Sequence, residues 1–223
     1  MRIRTIIIHD GAGVHGLGDK MAESLVALSA KVIVRDWQDM NAESARIYDT
    51  KVPFERQPES GISMPLYDGT RLQGIMSGII SEAESGMETL HVMFLDKLAC
   101  TFDHDDYRYH ARALIASNPA IVSMPGIVEA PARPKQYHVD MACYSMAEIE
   151  ARYAGEYLRA GDPKIVRAAE IYLMQAVMYH ETGEAFCADS RCRLYNAHWQ
   201  SELLSQIGSF WLCKKHQTVL ESM

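Results

Sequence analysis

The sequence lacks two features that would point to a membrane or a nucleic acid as partner. No apolar run approaches the roughly 20 residues that a transmembrane helix needs. Basic residues are also few, because 22 lysines and arginines face 29 acidic residues and leave a net charge of −7. That balance, without any long basic run, is atypical of a general nucleic-acid binder. We therefore expect no membrane or nucleic-acid partner.

An export signal and a disulfide framework are missing as well. The apolar segment near the N-terminus is too short for a signal peptide and is typical of a first strand. The five cysteines are an odd number. In a chain without an export signal, clustered cysteines favour metal binding over disulfides. The sequence therefore predicts a cytoplasmic protein.

Common catalytic and nucleotide-binding motifs are absent too. The glycine-rich segment 11–18 (GAGVHGLG) matches neither the dinucleotide fingerprint nor the Walker sequence. Phosphate binding at the following helix stays open, but a plain strand-to-helix connection is the preferred interpretation. No G-x-S-x-G motif is present, and Cys100 and Cys143 stand isolated.

The chain does contain a strand-rich N-terminal region and a helical C-terminal region. Residue patterns predict one domain over 1–223, with a strand-rich region over residues 1–137 and a helical region over residues 138–223 that includes a metal-binding subdomain, 184–216. The fold class expected is α/β or α+β, with a small mixed sheet and packed helices. The predicted strands are 5–9, 31–35 and 90–95, with two extended segments within 107–124; the predicted helices are 20–30, 71–82, 145–160, 164–182 and about 198–205; the predicted connections are 51–70 and 125–137.

A metal-ligand pattern stands near the C-terminus. Cys187-x4-Cys192 is followed, after a longer segment, by Cys213-x2-His216. Two closely spaced pairs are typical of a tetrahedral zinc site, and a closed, thiolate-rich set is structural rather than catalytic. The alternatives are a Cys187–Cys192 disulfide or independent buried thiols. The spacing favours one structural zinc ion.

The segment around these cysteines resembles the archaemetzincins, a family of zinc metallopeptidase-like proteins with the signature HExxHxxGxxH-C-x4-C-x-M and a later CxxC. In this chain Cys187 and Cys192 match the C-x4-C pair. Cys213 comes one residue late, and His216 replaces the last cysteine. The resemblance implies a metzincin-like fold and assigns the four residues to the family's structural zinc. The family's methionine position holds Leu194.

The catalytic half of that signature is degenerate here. Without gaps, the first and third zinc-ligand positions hold Ala176 and Phe186, and the general-base position holds Val177. Only His180 and Gly183 match. A zinc peptidase needs three ligands, an open position for water and a general base. The resemblance therefore implies that peptidase chemistry at this position is lost.

A relocated catalytic site is the alternative. His180 and Glu184 lie four residues apart, so they share a face if the helix continues, and His198 could complete a metal site; Glu181 is a further candidate base. The competing interpretation is that these polar residues at a helix end are solvated or capping groups.

Two further polar clusters leave alternatives open. Asn196 and His198 could line a cleft, or Asn196 could cap the last helix. The acidic cluster 103–106 could hold a cation, or form a solvated turn between strands, which is the preferred interpretation.

Two functions therefore remain. The first is a non-catalytic, metzincin-like protein that binds a peptide or protein partner or serves as a scaffold, and the second is a metal-dependent hydrolase with a relocated site.

Overall fold

The computed structural model describes residues 3–37, 41–47, 65–105, 107–111 and 113–223. Most of the predicted connection 51–70 lies outside the described residues, and only its last residues are seen. Asp106, a member of the acidic cluster, also lies outside them. Within the described residues of the chain, no helix is both long and apolar enough to span a bilayer.

A four-stranded parallel sheet forms the centre of the molecule. Its strands are β1 (Thr5–Gly11), β2 (Lys31–Asp36), β4 (Thr89–Leu95) and β7 (Ala120–Ser123), in the order β2-β1-β4-β7. Three consecutive isoleucines in β1 are fully or almost fully buried, as expected for a central strand covered on both faces. The three strands predicted within this sheet at 5–9, 31–35 and 90–95 are confirmed.

A second, three-stranded sheet is mixed. It contains β3 (Leu66–Asp68), β5 (Leu98–Asp103) and β6 (Arg108–Ala111), in the order β3-β5-β6. Strand β3 runs parallel to β5, whereas β5 and β6 are antiparallel. Within the described residues, strand β6 therefore lies at the edge of this sheet. The two sheets and the helices around them confirm the predicted α/β class with a mixed sheet.

Eight α-helices surround the sheets in the described ranges of the chain. They are α1 (Leu17–Ser24), α2 (Gly69–Ile79), α3 (Met124–Glu129), α4 (Lys135–Met141), α5 (Met146–Arg152), α6 (Lys164–Thr182), α7 (Gln200–Gly208) and α8 (Lys214–Ser222). Short 3-10 turns lie at 42–45 and 82–84. Helix α6 packs against β4 and β7 of the first sheet and against α1, α3 and α7.

Helix α6 has the bounds that the sequence predicts. It begins directly after Pro163, and Asp162 Oδ1 accepts a hydrogen bond from the Lys164 amide at 2.8 Å. It ends at Gly183, whose φ of 79° is left-handed, a conformation that glycine adopts readily. Ala176 and Val177 on this helix are completely buried in the main core.

Three predicted elements need correction. Helix α1 begins earlier and ends earlier than 20–30, and Asp19 lies in its first turn rather than at its cap. The helix predicted over 145–160 has the expected Ser145 capping box but ends at Arg152, and the chain turns away at Gly155, which is left-handed with φ 81°. The loop predicted at 125–137 contains α3, since Pro125 fits a first helical turn and Ser123 Oγ accepts from Gly126 N.

Candidate metal centre and neighbouring cavity

The structure brings the four predicted metal ligands together. One ligand atom from each of Cys187, Cys192, Cys213 and His216 can be chosen so that all four lie within 4.8 Å of one another. The sulfurs of Cys187 and Cys213 are 3.8 Å apart, and His216 Nδ1 lies 3.0 Å from Cys213 Sγ and 3.7 Å from Cys192 Sγ. The arrangement is a compact cluster of three thiols and one imidazole.

A closed loop positions the first pair. The amide of Cys187 donates to the carbonyl of Leu194 at 2.8 Å, and the amide of Cys192 donates to the carbonyl of Asp189 at 2.9 Å. These backbone bonds turn the chain back on itself after α6 and direct both thiols to the same side. The side chain of Cys192 is fully buried beside Met178 of α6.

The second pair occupies the start of α8. Cys213 is the N-cap residue, and His216 lies in the first helical turn, where its amide donates to the Cys213 carbonyl at 3.0 Å. The helical turn therefore places both side chains on one side, which explains the x2 spacing. His216 is only 3% exposed.

Backbone amides also donate to the sulfurs. Asp189 N–H donates to Cys187 Sγ at 3.4 Å, and Cys213 N–H donates to Cys192 Sγ at 3.5 Å. Such hydrogen bonds stabilise thiolates and orient them toward a cation. The two amide hydrogen bonds therefore hold the thiols of Cys187 and Cys192 in fixed positions within the cluster.

The distances fit a tetrahedral zinc ion. Zn–S bonds of about 2.3 Å separate two sulfurs of a tetrahedron by about 3.8 Å, and sulfur from nitrogen by about 3.6 Å. The observed sulfur–sulfur distance of 3.8 Å and the sulfur–nitrogen distances of 3.0 and 3.7 Å scatter around these values. All five cysteines are free thiols, so the alternative Cys187–Cys192 disulfide is not formed.

Burial favours the neutral forms of Cys187 and His216 when no cation is bound, whereas at Cys213 burial is outweighed by hydrogen bonds from the His216 amide and from neighbouring thiols, which lower the pKa of Cys213. Burial raises the pKa of the Cys187 thiol to about 11 and lowers the pKa of His216. A cation must therefore displace thiol protons as it binds, and it offsets the cost of burying the resulting thiolates. The residues fit a doubly charged, thiophilic metal with no open coordination position.

The candidate catalytic residues do not form a second cluster. His180 Nε2 is hydrogen-bonded to the Met87 carbonyl at 2.8 Å, and Glu181 Oε2 accepts from the Ile3 amide at 2.9 Å. Glu184 pairs with Lys215 of α8. Among the described residues, the cysteine–histidine cluster is the one group of three or more residues arranged to hold a metal. The structure therefore does not bring His180, Glu184 and His198 together.

Positions that the resemblance aligns with catalytic ligands hold apolar side chains. Ala176 and Val177 are completely buried, and Phe186 is half-exposed after the end of α6. None of the three has an atom able to bind a metal or accept a proton. Leu194, at the methionine position, is fully buried beside Met178 and Cys192.

A cavity of about 320 Å³ lies beside this segment of α6. Its wall includes Asn196 and His198, in agreement with the cleft-lining alternative for these two residues. The alternative capping role of Asn196 is wrong, because the N-cap of α7 is Trp199.

Two glutamines in the cavity wall were missed by sequence reasoning. Gln175 on α6 and Gln206 on α7 are 2% and 3% exposed, and the side-chain oxygen of each has no hydrogen-bond partner in the described structure. A glutamine inside the apolar pattern of a helix, as in Leu173-Met174-Gln175-Ala176, was the available signal.

The other polar features have structural explanations. At the glycine-rich turn, Asp10 Oδ2 accepts from Gly18 N at 2.8 Å, so a carboxylate already occupies the start of α1, where a phosphate would bind. The described residues of the acidic cluster connect β5 to β6, and Asp103 Oδ1 accepts from Asp105 N at 2.9 Å. Both preferred interpretations, a plain connection and a turn between strands, agree with this geometry.

Comparison with known proteins gives one family and one similar structure. The family model described as "Probable metallopeptidase family (DUF6775)" matches residues 16–223. A solved structure of a zinc-dependent peptidase from Methanocorpusculum labreanum (strain Z) is similar over 97% of this chain and 99% of that chain, with 14% identity and a TM-score of 0.44. No curated protein matches the sequence. Because the family model covers almost the whole sequence, this chain belongs to the probable metallopeptidase family.

Proposed function

We propose that this chain is a metzincin-like, archaemetzincin-related member of its family that has kept a structural zinc ion, lost the catalytic one, and binds a peptide or protein segment without cleaving it. The observation that carries the proposal is a contrast within one short segment. A complete four-ligand cluster joins the segment after α6 to the start of α8, while the positions aligned with catalytic ligands on and after α6 hold Ala176, Val177 and Phe186.

Zinc is the metal that suits this ligand set. Three thiolates and one imidazole favour Zn²⁺ over the hard cations Mg²⁺ and Ca²⁺, which prefer oxygen. Bound by Cys187, Cys192, Cys213 and His216, the ion would join the end of α6 to the start of α8. With all four positions filled by protein, it would have no place for a reactive water.

Loss of the catalytic ion is supported by the surroundings of α6. Val177 packs in the main core. A general base at its position would therefore be buried among apolar side chains, without access to solvent. His180 and Glu181 are engaged by backbone groups of other segments, which is a structural role. No contact in the described structure favours the relocated hydrolase site.

Peptide binding is supported by the position of the cavity. The end of edge strand β6 and the segment after it contribute Ala111 and Ala113 to a wall whose other side is α6. Edge strands and adjacent pockets are a common way to bind an extended segment, since the backbone pairs and side chains enter the pocket.

Metal analysis tests the zinc component of the proposal. Full-length protein purified without chelators should contain about one equivalent of zinc, because the site has one complete set of ligands. Cys192→Ser should lose most of it, and Cys143→Ser is the matched control, since Cys143 is an exposed cysteine outside the cluster. Zinc far below stoichiometry, or an equal content in the two variants, would contradict the structural site.

A peptidase assay tests the loss of catalysis. Wild-type protein with added zinc should show no turnover of a quenched fluorescent peptide library above the level of the His180→Ala variant. Robust turnover that His180→Ala abolishes, with the variant still folded by circular dichroism, would refute the loss of catalysis. That result would leave the structural zinc unaffected, because the two measurements are independent.

A further inference from the structure

The four residues of the metal cluster differ in their access to solvent. Cys192 and His216 are 0% and 3% exposed, and Cys192 packs on Met178 of α6. Cys187 and Cys213 are partly exposed instead, and each is followed directly by an exposed residue of the chain. The cluster therefore has a buried half and a half at the molecular surface. A small solute that arrives from solvent meets Cys187 and Cys213 first.

The two partly exposed cysteines also face each other. Their sulfurs are 3.8 Å apart, and a disulfide bond of about 2.05 Å would require them to approach by about 1.8 Å. Neither residue lies within a helix or one of the strands β1–β7, since Cys187 is in the segment between α6 and α7 and Cys213 is the N-cap of α8. Rotation about the side-chain bonds, with a small adjustment of these segments, supplies the approach.

A disulfide between these cysteines would join the same parts of the chain as the metal. Cys187 belongs to the segment after α6, and Cys213 belongs to the start of α8. The metal would meanwhile lose two of its four ligands, and Cys192 and His216 alone are too few to complete a structural zinc site. Oxidation would therefore replace one cross-link between α6 and α8 by another and free the metal.

We propose that Cys187 and Cys213 form a peroxide-sensitive pair that oxidises to a disulfide and releases the zinc ion. The release of metal rests on the zinc component of the proposed function, whereas the disulfide rests on the positions of the cysteines alone.

The chemistry takes two steps. One thiolate sulfur attacks the O–O bond of the peroxide, becomes a sulfenic acid and expels hydroxide. The second thiolate attacks the sulfenic sulfur, so the S–S bond forms, the S–O bond breaks and a second hydroxide leaves. The pair gives two electrons to the peroxide, and two protons from solvent convert both hydroxides to water.

Hydrogen peroxide is the probe, and metal release and disulfide mapping are the two measurements. Full-length protein purified without chelators is treated with peroxide while a chromogenic zinc chelator follows the metal. Remaining thiols are then alkylated in denaturant, and the digested protein is analysed by mass spectrometry without reduction. We expect release of about one equivalent of zinc, one disulfide between Cys187 and Cys213, and an alkylated Cys192. A thiol reductant with added zinc should reverse both changes.

The Cys187→His variant removes the pair but keeps a ligand that zinc accepts. Two thiolates and two imidazoles form a common structural zinc set, so this variant should still bind the metal. Peroxide should release zinc from it roughly tenfold more slowly than from wild type, because Cys213 has lost the thiol that would complete the disulfide. Cys143→Ser is the control, since Cys143 is exposed but outside the cluster, and its zinc should leave at the wild-type rate.

Three outcomes would overturn the inference. The first is an unmodified Cys187 at a peroxide concentration that oxidises the exposed Cys143. The second is a disulfide that includes Cys192, or separate oxidation of single cysteines, in the mapped wild-type protein, a result that needs no variant to fold. The third is release from Cys187→His at the wild-type rate. Purified protein without zinc would contradict the proposed function instead, and mapping would still report the cysteine pair, so the two failures are distinguishable.

Discussion

Acid should destabilise this protein through a buried histidine pair in the central sheet. His9 of β1 and His91 of β4 are 6% and 1% exposed, and His9 Nε2 lies 3.1 Å from His91 Nδ1. Burial, followed by the proximity of His91 and then of Arg35, lowers the pKa of His9 to about 4, whereas Glu84 acts in the opposite direction. Burial also lowers the pKa of His91.

The hydrogen bonds of the pair specify its neutral form. His91 Nε2 lies 3.0 Å from the Glu84 carbonyl, which can only accept, so that nitrogen carries the proton. Nδ1 of His91 then accepts from Nε2–H of His9. A second proton on His91 would set two N–H groups against each other, so the folded state resists protonation.

The magnitude follows from the pKa difference. An unfolded histidine titrates near 6.5 and His9 near 4, so between these values the unfolded chain binds a proton that the folded chain does not. The contribution of His9 to the unfolding free energy is therefore fully present above about pH 6.5. Between this pH and about pH 4 it falls by about 1.4 kcal/mol per pH unit. Between about pH 7 and about pH 4.5, His9 alone should cost roughly 2.4 kcal/mol of unfolding free energy.

Urea denaturation across this pH range measures the effect. His9→Gln retains a donor toward His91 but does not titrate, so its stability should decline less steeply with acid than that of wild type. His15→Gln is the control, because His15 is exposed in the glycine-rich turn and its removal should leave the slope unchanged. Comparing slopes also cancels the acid sensitivity of the metal cluster, which all three proteins share.

Two results would refute the reasoning. Parallel pH profiles for wild type and His9→Gln would mean that His9 is not held neutral by its surroundings. An equally large effect of His15→Gln would mean that the acid response is a general charge effect rather than a property of the buried pair.

Two predictions concern the supports of the site. Gln200→Met should lower the unfolding free energy by roughly 3 kcal/mol in urea denaturation, because it leaves the buried Leu158 amide and a carbonyl unpaired. Gln217→Met, on an exposed face of α8, should change the unfolding free energy little. Similar losses in both variants would argue against the buried network. Gly183→Ala should cost about 1 kcal/mol for its left-handed φ of 79°, whereas Gly74→Ala within α2 should be neutral or stabilising, and the reverse order of melting temperatures would contradict the backbone argument.

Local signals predicted the elements whose ends are encoded nearby. Helix α6 has a proline start and a glycine end within its own sequence, and its bounds follow from them. The helix that begins after Ser145 is the opposite case. Its start is encoded by a capping box in its own sequence, whereas its end at Arg152 is not encoded in this way. There Tyr153 and Tyr157 turn inward to pack on Tyr137, a contact that only the tertiary structure provides.

The metal cluster and the cavity differ in the same way. The metal cluster is readable because each pair of ligands is held by one turn of chain, so the spacing of Cys187 and Cys192, or of Cys213 and His216, records the geometry. The cavity lined by Gln175 and Gln206 lies between α6, α7 and the segment after β6. These segments are far apart in the chain, so no short spacing of residues in the sequence indicates that they meet.

The apolar residues at the positions that the archaemetzincin resemblance aligns with zinc ligands have a physical consequence for the fold. Zinc ligands are polar groups that are costly to bury without a metal. Ala176 and Val177 instead contribute to the apolar core between α6 and the sheet. This face of the helix therefore stabilises the fold without a metal. The cluster of Cys187, Cys192, Cys213 and His216 is the opposite case, because without a cation it brings three thiols and a buried imidazole together with no charge to hold them.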